Sequence, residues 1–107
     1  MKQTVKFEVE LDDNHLPLSI AMEASDGAAR EDNIKALMIS AWAAKNRETL
    51  RIDLWTKDMP INEMFIMYHQ TMMGMASSLE RATGNEKLAA ALRDYCEFFA
   101  EKTKIVG

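Results

Sequence analysis

The sequence predicts an α+β fold, in which a four-stranded antiparallel sheet made of two hairpins is followed by two helices packed on one face of the sheet. Apolar residues alternate with polar ones through much of the first half of the chain and recur every three or four residues in the second half. Strands that all precede the helices are typical of α+β proteins. Because 107 residues is the size of one domain, residues 1–107 are expected to form a single domain.

The first hairpin is predicted from two alternating stretches. Residues 4–11 place four apolar side chains on one face: Val5, Phe7, Val9 and Leu11. Turn-forming residues follow at 12–15. A second strand then begins near Pro17, since a missing N–H suits a strand start or an unpaired edge. Residues 24–34 are small and polar, and we expect them to form a loop.

The second hairpin is predicted over residues 35–56, with a four-residue turn at 45–48. The expected register pairs residues that face the core, namely Ala41 with Ile52 and Ile39 with Leu54. On the opposite face it pairs Trp42 with Arg51, Ser40 with Asp53, and Met38 with Trp55.

Two helices complete the predicted fold. The first is expected to begin at residues 58–60, with Pro60 in its first turn, and to end at Gly84. Residues 83–86 read as a capping box, with Thr83 as the cap of the second helix. Each helix carries an apolar stripe that we expect to face the core. The stripes comprise Ile61, Met64, Phe65, Tyr68, Met72, Met75 and Leu79, followed by Leu88, Ala91, Leu92, Tyr95, Phe98 and Phe99.

The sequence contains no recognisable arrangement for catalysis or metal binding. His15 and His69 have no partner ligand at helical spacing, and the acidic loops do not match a calcium-binding motif. Cys96 is expected to be a packed, inert thiol. The net charge of −4 argues against a large cationic surface for nucleic acid. We therefore predict no catalytic residue, no metal, no cofactor, no enzymatic activity and no nucleic-acid partner.

Apolar runs along the chain are short. The longest, at residues 41–44 and 64–67, fall far below the ~20 residues of a membrane-spanning helix. The first residues lack the apolar segment of a signal peptide. The expectation is a protein of the cytoplasm with no transmembrane segment.

Large apolar residues are expected on two nominally polar surfaces, and they predict where a partner binds. On the first helix, Met67 falls on one flank, while Ile66 and Met73 fall on the other, so the second helix can bury only one flank. The outer face of the second hairpin carries large apolar side chains beside two charged ones. The candidate interaction surface is Met38, Trp42, Arg51, Asp53, Trp55, Ile66, Met67 and Met73. The alternative is that Arg51 stacks on Trp42 and the face remains in solvent.

The stretch from Glu48 to Met64, which reads ETLRIDLWTKDMPINEM, carries a resemblance to a known family. Supporting pieces occur at residues 7–13, 26–27, 38–42, 69–71, 80–83, 93–96 and 99–102. With these, the chain resembles the GldC-like family of bacterial gliding-motility proteins over nearly its whole length. The resemblance implies a single GldC-like domain and an accessory protein of gliding motility, with no catalytic residue to carry over.

The leading hypothesis is a protein–protein interaction module that binds a component of the gliding machinery or a second copy of itself. One alternative is a binder of small apolar ligands or lipids, using a cavity between sheet and helices lined by Met22, Met64, Met72 and Met75. Another is chaperone activity like that of SecB, prompted by the order of four strands before two helices and by the acidic charge.

Overall fold

The computed structural model describes residues 1–27 and 29–105 and has the predicted α+β class. The chain divides into two compact units, Met1–Met59, here the β unit, and the segment from Pro60 onward, here the helical unit. The elements are β1 (Val5–Leu11), β2 (Pro17–Ala24), β3 (Arg30–Ile34), β4 (Ala36–Ala43), β5 (Glu48–Trp55), α1 (Ile61–Thr83) and α2 (Glu86–Thr103). The packing of the helices on the sheet and the single domain stay predictions.

The first hairpin forms as predicted, because its apolar alternation and its turn agree. Strands β1 and β2 pair antiparallel, with Val9 opposite Ile20, and the Ile20 side chain is buried. Asp12 closes the turn, since its Oδ1 accepts hydrogen bonds from the backbone N–H groups of Asn14 (2.8 Å) and Leu16 (2.9 Å). Pro17 is the first residue of β2, where a missing N–H is tolerated.

The prediction of a loop over residues 24–34 is wrong for its second half, because residues 30–34 form β3 along the free edge of β2. Four of these five residues are polar, so they show no apolar alternation. Charged residues are common on edge strands. Here Arg30 lies opposite Glu23 and pairs with it at 3.4 Å. Gly27 supplies the positive φ of the preceding turn, and Ala28 lies outside the described residues.

The predicted single four-stranded sheet is not exact, because the strands form a three-stranded sheet (β1-β2-β3) and a two-stranded sheet (β4-β5). Strand β3 occupies the edge of β2, so β2 has no free edge for a strand of the second hairpin. The chain after β5 connects the two sheets: the Lys57 N–H donates to the Pro17 carbonyl (3.2 Å) and the Thr56 N–H donates to the Lys35 carbonyl (2.8 Å).

The predicted register of the second hairpin is wrong by two residues. Ala41 lies opposite Leu50, Ile39 opposite Ile52, and Leu37 opposite Leu54. The turn occupies residues 44–47, one position earlier than expected, and the Arg47 N–H closes it on the Ala43 carbonyl at 2.9 Å. Moving the turn by one residue moves each partner by two. Since an even shift preserves the side of every residue, the predicted faces of the hairpin are confirmed.

The helix ends differ in detail from the prediction. Helix α1 begins at Ile61, so Pro60 is its N-cap and does not lie in its first turn. Gly84 ends α1 as predicted, with φ of 72° and its N–H donating to the Glu80 carbonyl. The cap of α2 is Asn85, whose Oδ1 accepts from the Leu88 N–H at 3.0 Å. Thr83 was expected in that role, but its hydroxyl donates to a carbonyl of α1.

Helices α1 and α2 contact each other as an antiparallel pair. Their fully buried residues, Ala76, Ala89 and Cys96, are small, which permits close approach of the helices. An ion pair between Arg93 and Glu80 (3.0 Å) links them. The expected burial of the apolar stripes is incomplete: Met75, placed in the core from the sequence, is more than half exposed.

Candidate functional site

Five of the predicted site residues share one face of the β4–β5 hairpin: Met38, Trp42, Arg51, Asp53 and Trp55. We call this the tryptophan face. The alternating register places them on the same side of the two strands. Trp42 is 62% exposed and Trp55 is 55% exposed. The face therefore presents two large aromatic side chains to the surroundings.

The two tryptophans lie at opposite ends of the tryptophan face. Trp42 is opposite Thr49 beside the turn, and Trp55 is opposite Ala36 at the start of β4. The six positions from Ala36 to Trp42 correspond to about 20 Å along a strand. The two tryptophan side chains thus lie at the two ends of the hairpin and do not form one compact apolar patch.

The centre of the tryptophan face is an ion pair. Arg51 Nη2 and Asp53 Oδ1 lie 3.1 Å apart, and both side chains are exposed. Arg51 lies opposite Ser40, so the predicted cross-strand position opposite Trp42 is wrong. An exposed pair of this kind adds little to stability. Its chemical effect is to place neutralised but strongly polar groups between two aromatic ends.

The opposite face of the same hairpin is also incompletely covered, which the sequence reasoning missed. Leu50 and Ile52 were assigned to the core, yet both are more than half exposed. Their exposure has a sequence signal, because β4 and β5 carry large apolar residues on both faces. A two-stranded sheet has little material with which to bury two apolar faces.

The remaining predicted residues lie on α1 and do not come together as one patch. Ile66 is half-buried, and Met73 lies two turns further along the same flank and is partly exposed. Met67 is half-buried on the opposite flank. The helix flanks therefore provide at most isolated apolar contacts.

Carboxylates at the junction of the two sheets have perturbed pKa values. The Lys57 ammonium, 2.9 Å from Asp12 Oδ2, and the backbone N–H groups of the turn hold the pKa of Asp12 below its usual range. The Thr56 hydroxyl and then Lys35 lower the pKa of Asp58 in the same way. Lowered values keep both groups ionised at neutral pH, which suits structural counter-ions and not proton donors.

Three further features of residues 1–27 and 29–105 bear on chemistry, namely possible metal ligands, the thiol of Cys96 and a surface depression. No group of three or more His, Cys, Asp or Glu side chains there could hold a metal ion. Cys96 is buried, as predicted. A small depression of about 30 Å³ lies beside β1 and β2 and is lined by Lys6, Glu8, Ala21, Met22, Glu23 and Arg30. Its volume is comparable to that of one water molecule.

No helix within the described ranges is long and apolar enough to cross a membrane.

A family model described as Gliding motility-associated protein GldC-like matches residues 17–105. The matched range begins at the first residue of β2 and includes the tryptophan face and α1. No curated protein matches the chain, and no solved structure matches it.

Proposed function

Because the chain belongs to the GldC-like family of gliding motility-associated proteins, we propose that it is a non-enzymatic accessory protein of gliding that binds a protein partner in the cytoplasm. The partner, a component of the gliding machinery, contacts the tryptophan face. The observation that carries this proposal is the exposure of Trp42 and Trp55 on one face of a hairpin.

Exposed tryptophans favour a protein partner on energetic grounds. Aromatic side chains bury roughly 150–250 Å² each when fully covered, and tryptophan is enriched among the residues that dominate binding energy. The outer face of β1 provides a contrast within the same unit, because its side chains Lys6, Glu8 and Glu10 are charged and suit solvent.

The shape of the tryptophan face indicates how the partner lies. Two aromatic groups separated by about 20 Å suit an extended segment that follows the hairpin better than a single inserted side chain. A partner with an acidic and a basic group near its middle could contact Arg51 and Asp53 without leaving a charge unpaired.

Affinity capture from gliding cells tests the proposal. We expect the wild-type protein to retain a component of the gliding machinery, and the double variant Trp42→Ala/Trp55→Ala to retain at least about tenfold less, since each lost aromatic contact can cost 2 kcal/mol or more. Trp55→Ala alone should reduce capture while its far-UV circular dichroism stays that of the wild type. The matched control is Leu16→Ala/Leu18→Ala, because both residues are exposed and apolar and lie outside the tryptophan face, Leu16 just before β2 and Leu18 within it.

Identical capture by the wild type and the double tryptophan variant would contradict the proposal. Equal loss in the Leu16→Ala/Leu18→Ala control would contradict it too, because the effect would then not be specific to the tryptophan face. If a second copy of the chain binds the tryptophan face, the wild type should have twice the mass of one chain and the tryptophan variants should have the mass of one chain.

Chaperone-like binding of unfolded segments is a second candidate, favoured by the exposure of apolar residues on both faces of the β4–β5 hairpin. Such a protein would capture many unrelated unfolded chains, whereas an accessory protein would capture a short and reproducible set. Binding of a small apolar ligand or lipid is the third hypothesis from the sequence. Besides the depression of about 30 Å³, the β unit has a wider one of about 290 Å³, lined by Thr4, Lys6, Glu23, Ala24, Ser25 and Gly27. Met22 lines the smaller depression, whereas Met64, Met72 and Met75 line neither of the two.

A further inference from the structure

The helical unit has one apolar face of its own, which spans both helices and is distinct from the tryptophan face. We call it the helical face. It consists of apolar and aromatic residues that are each more than a third exposed, namely Ile61, Phe65, Tyr68, Met75, Leu88, Tyr95 and Phe98. Residues of the predicted stripes make up this entire set, and neither helix of the pair fully covers those of the other.

Ring contacts show that the two stripes fall on the same side of the helix pair. Phe65 of α1 meets Phe99 of α2 edge to face, with ring centroids 6.0 Å apart. Phe99 in turn lies beside Tyr95 (6.4 Å), and Tyr95 lies beside Phe98 (5.8 Å). A continuous aromatic band therefore crosses from one helix to the other.

The helical face has the composition of an interface core. Depletion of charge and enrichment in Tyr, Phe and Met distinguish such cores from ordinary protein surface. None of the residues of the helical face is charged. At its margin, Lys102 Nζ lies 5.6 Å from the centre of the Phe98 ring and so covers part of an aromatic surface.

The exposed area of the helical face is comparable to one side of a small dimer interface. Tyr68, Tyr95 and Phe98 are 44%, 49% and 50% exposed. At these fractions each leaves roughly 100 Å² open, and the whole face leaves about 600 Å². Two such faces in contact would bury about 1,200 Å², the lower end of specific protein–protein interfaces.

We propose that the occupant of the helical face is a second copy of this chain, and that the two helix pairs form a four-helix arrangement about a two-fold axis. An antiparallel pair whose apolar stripes lie on one side is half of a four-helix bundle, and a second identical half completes it. Two-fold symmetry needs only one self-complementary patch, and an uncharged face avoids like-charge repulsion at its centre. The proposal goes beyond partner binding, since it uses a different surface.

The mass of the protein in solution tests the proposal. We expect wild-type protein at about 100 μM to have twice the 12.2 kDa mass of one chain by light scattering. The variant Tyr95→Lys should raise the dimer dissociation constant at least tenfold, because it buries an unpaired charge. The matched control is Ala90→Lys, which adds the same charge to an exposed position on the opposite side of α2 and should leave the dimer intact.

Two further measurements keep the test decisive if Tyr95→Lys fails to fold. Met75→Lys places the charge on α1 and should have the same effect as Tyr95→Lys. For the wild type, Tm should rise with protein concentration, as it does only when association stabilises the fold. A wild-type mass of one chain with a concentration-independent Tm would overturn the proposal. A dimer that persists in both Tyr95→Lys and Met75→Lys would also overturn it.

Failure of the dimer and failure of partner binding are distinguishable. The variant Trp42→Ala/Trp55→Ala should remain dimeric while losing capture of the gliding component. A dimer lost in that variant and kept in Tyr95→Lys would move the dimer contact to the tryptophan face and refute the helical face as its site.

Discussion

The Asp12 carboxylate connects two parts of the β unit that are far apart in sequence. One oxygen accepts two backbone hydrogen bonds that close the β1–β2 turn, and the other accepts a bond from Lys57, 45 positions further along the chain. Its side chain is 14% exposed, far less than those of the pair formed by Lys6 and Glu8. One residue thus joins the first hairpin to the segment that follows β5.

The pH dependence of stability should reveal this connection. The pKa of Asp12 is lower in the folded protein than in the unfolded chain, so its stabilising contribution is present above the unfolded value and is lost as pH falls through the folded value. We expect Asp12→Asn to lower the urea midpoint at about pH 7 and the difference from wild type to shrink towards about pH 2. The control Glu8→Gln should change the midpoint little, because its pair is exposed on a single strand. A constant Asp12→Asn deficit at every pH would contradict this explanation.

At the scale of the element, two glycines in the helical unit should respond oppositely to alanine. Gly84 has φ of 72° at the end of α1, where an L side chain is strained, so Gly84→Ala should cost about 1 kcal/mol. Gly74 lies inside α1, and a Cβ there would have no neighbour within 4 Å. Gly74→Ala should therefore raise the free energy of unfolding by about 0.5–1 kcal/mol. Urea denaturation followed by circular dichroism measures both, and a loss of stability in Gly74→Ala would show that the position needs glycine.

The sequence could predict most elements of this protein but not all of their partners. Alternation in the hairpins and the helical stripes located six of the seven elements, while β3 was missed because it is held by backbone pairing and by the Arg30–Glu23 ion pair. The hairpin turn at 44–47 could not be distinguished from one at 45–48, since both windows contain polar residues. The predicted face of each residue is nevertheless correct, because side chains alternate with a period of two and the register shift is two residues.

For the candidate site, the sequence could predict the face on which each residue lies but not the exposure of every residue. The tryptophan face could be assembled from alternation alone. The exposure of Leu50, Ile52 and Met75 could not be predicted from the sequence. An apolar pattern shows which side of an element is apolar, but it does not show what covers that side. The helical face was for this reason assigned to the core.

For the whole molecule, native mass spectrometry separates the ligand hypothesis from the interaction hypotheses. We expect gently purified protein to have a mass that is a whole multiple of 12.2 kDa, because the proposed function needs surfaces that bind proteins and no small ligand. A retained extra mass that disappears on denaturation would instead support a bound apolar ligand. Protein refolded from urea is the control, since it cannot carry a ligand from the cell.

Each pair of strands or helices that the structure describes joins elements that are close in sequence: β1 with β2, β2 with β3, β4 with β5, and α1 with α2. Contacts between near neighbours lose little chain entropy on closure, and proteins rich in them fold quickly. During synthesis, each hairpin can close as soon as its second strand has left the ribosome, without waiting for the helices. The exposed apolar residues of the β4–β5 hairpin are therefore in place before the helices are complete.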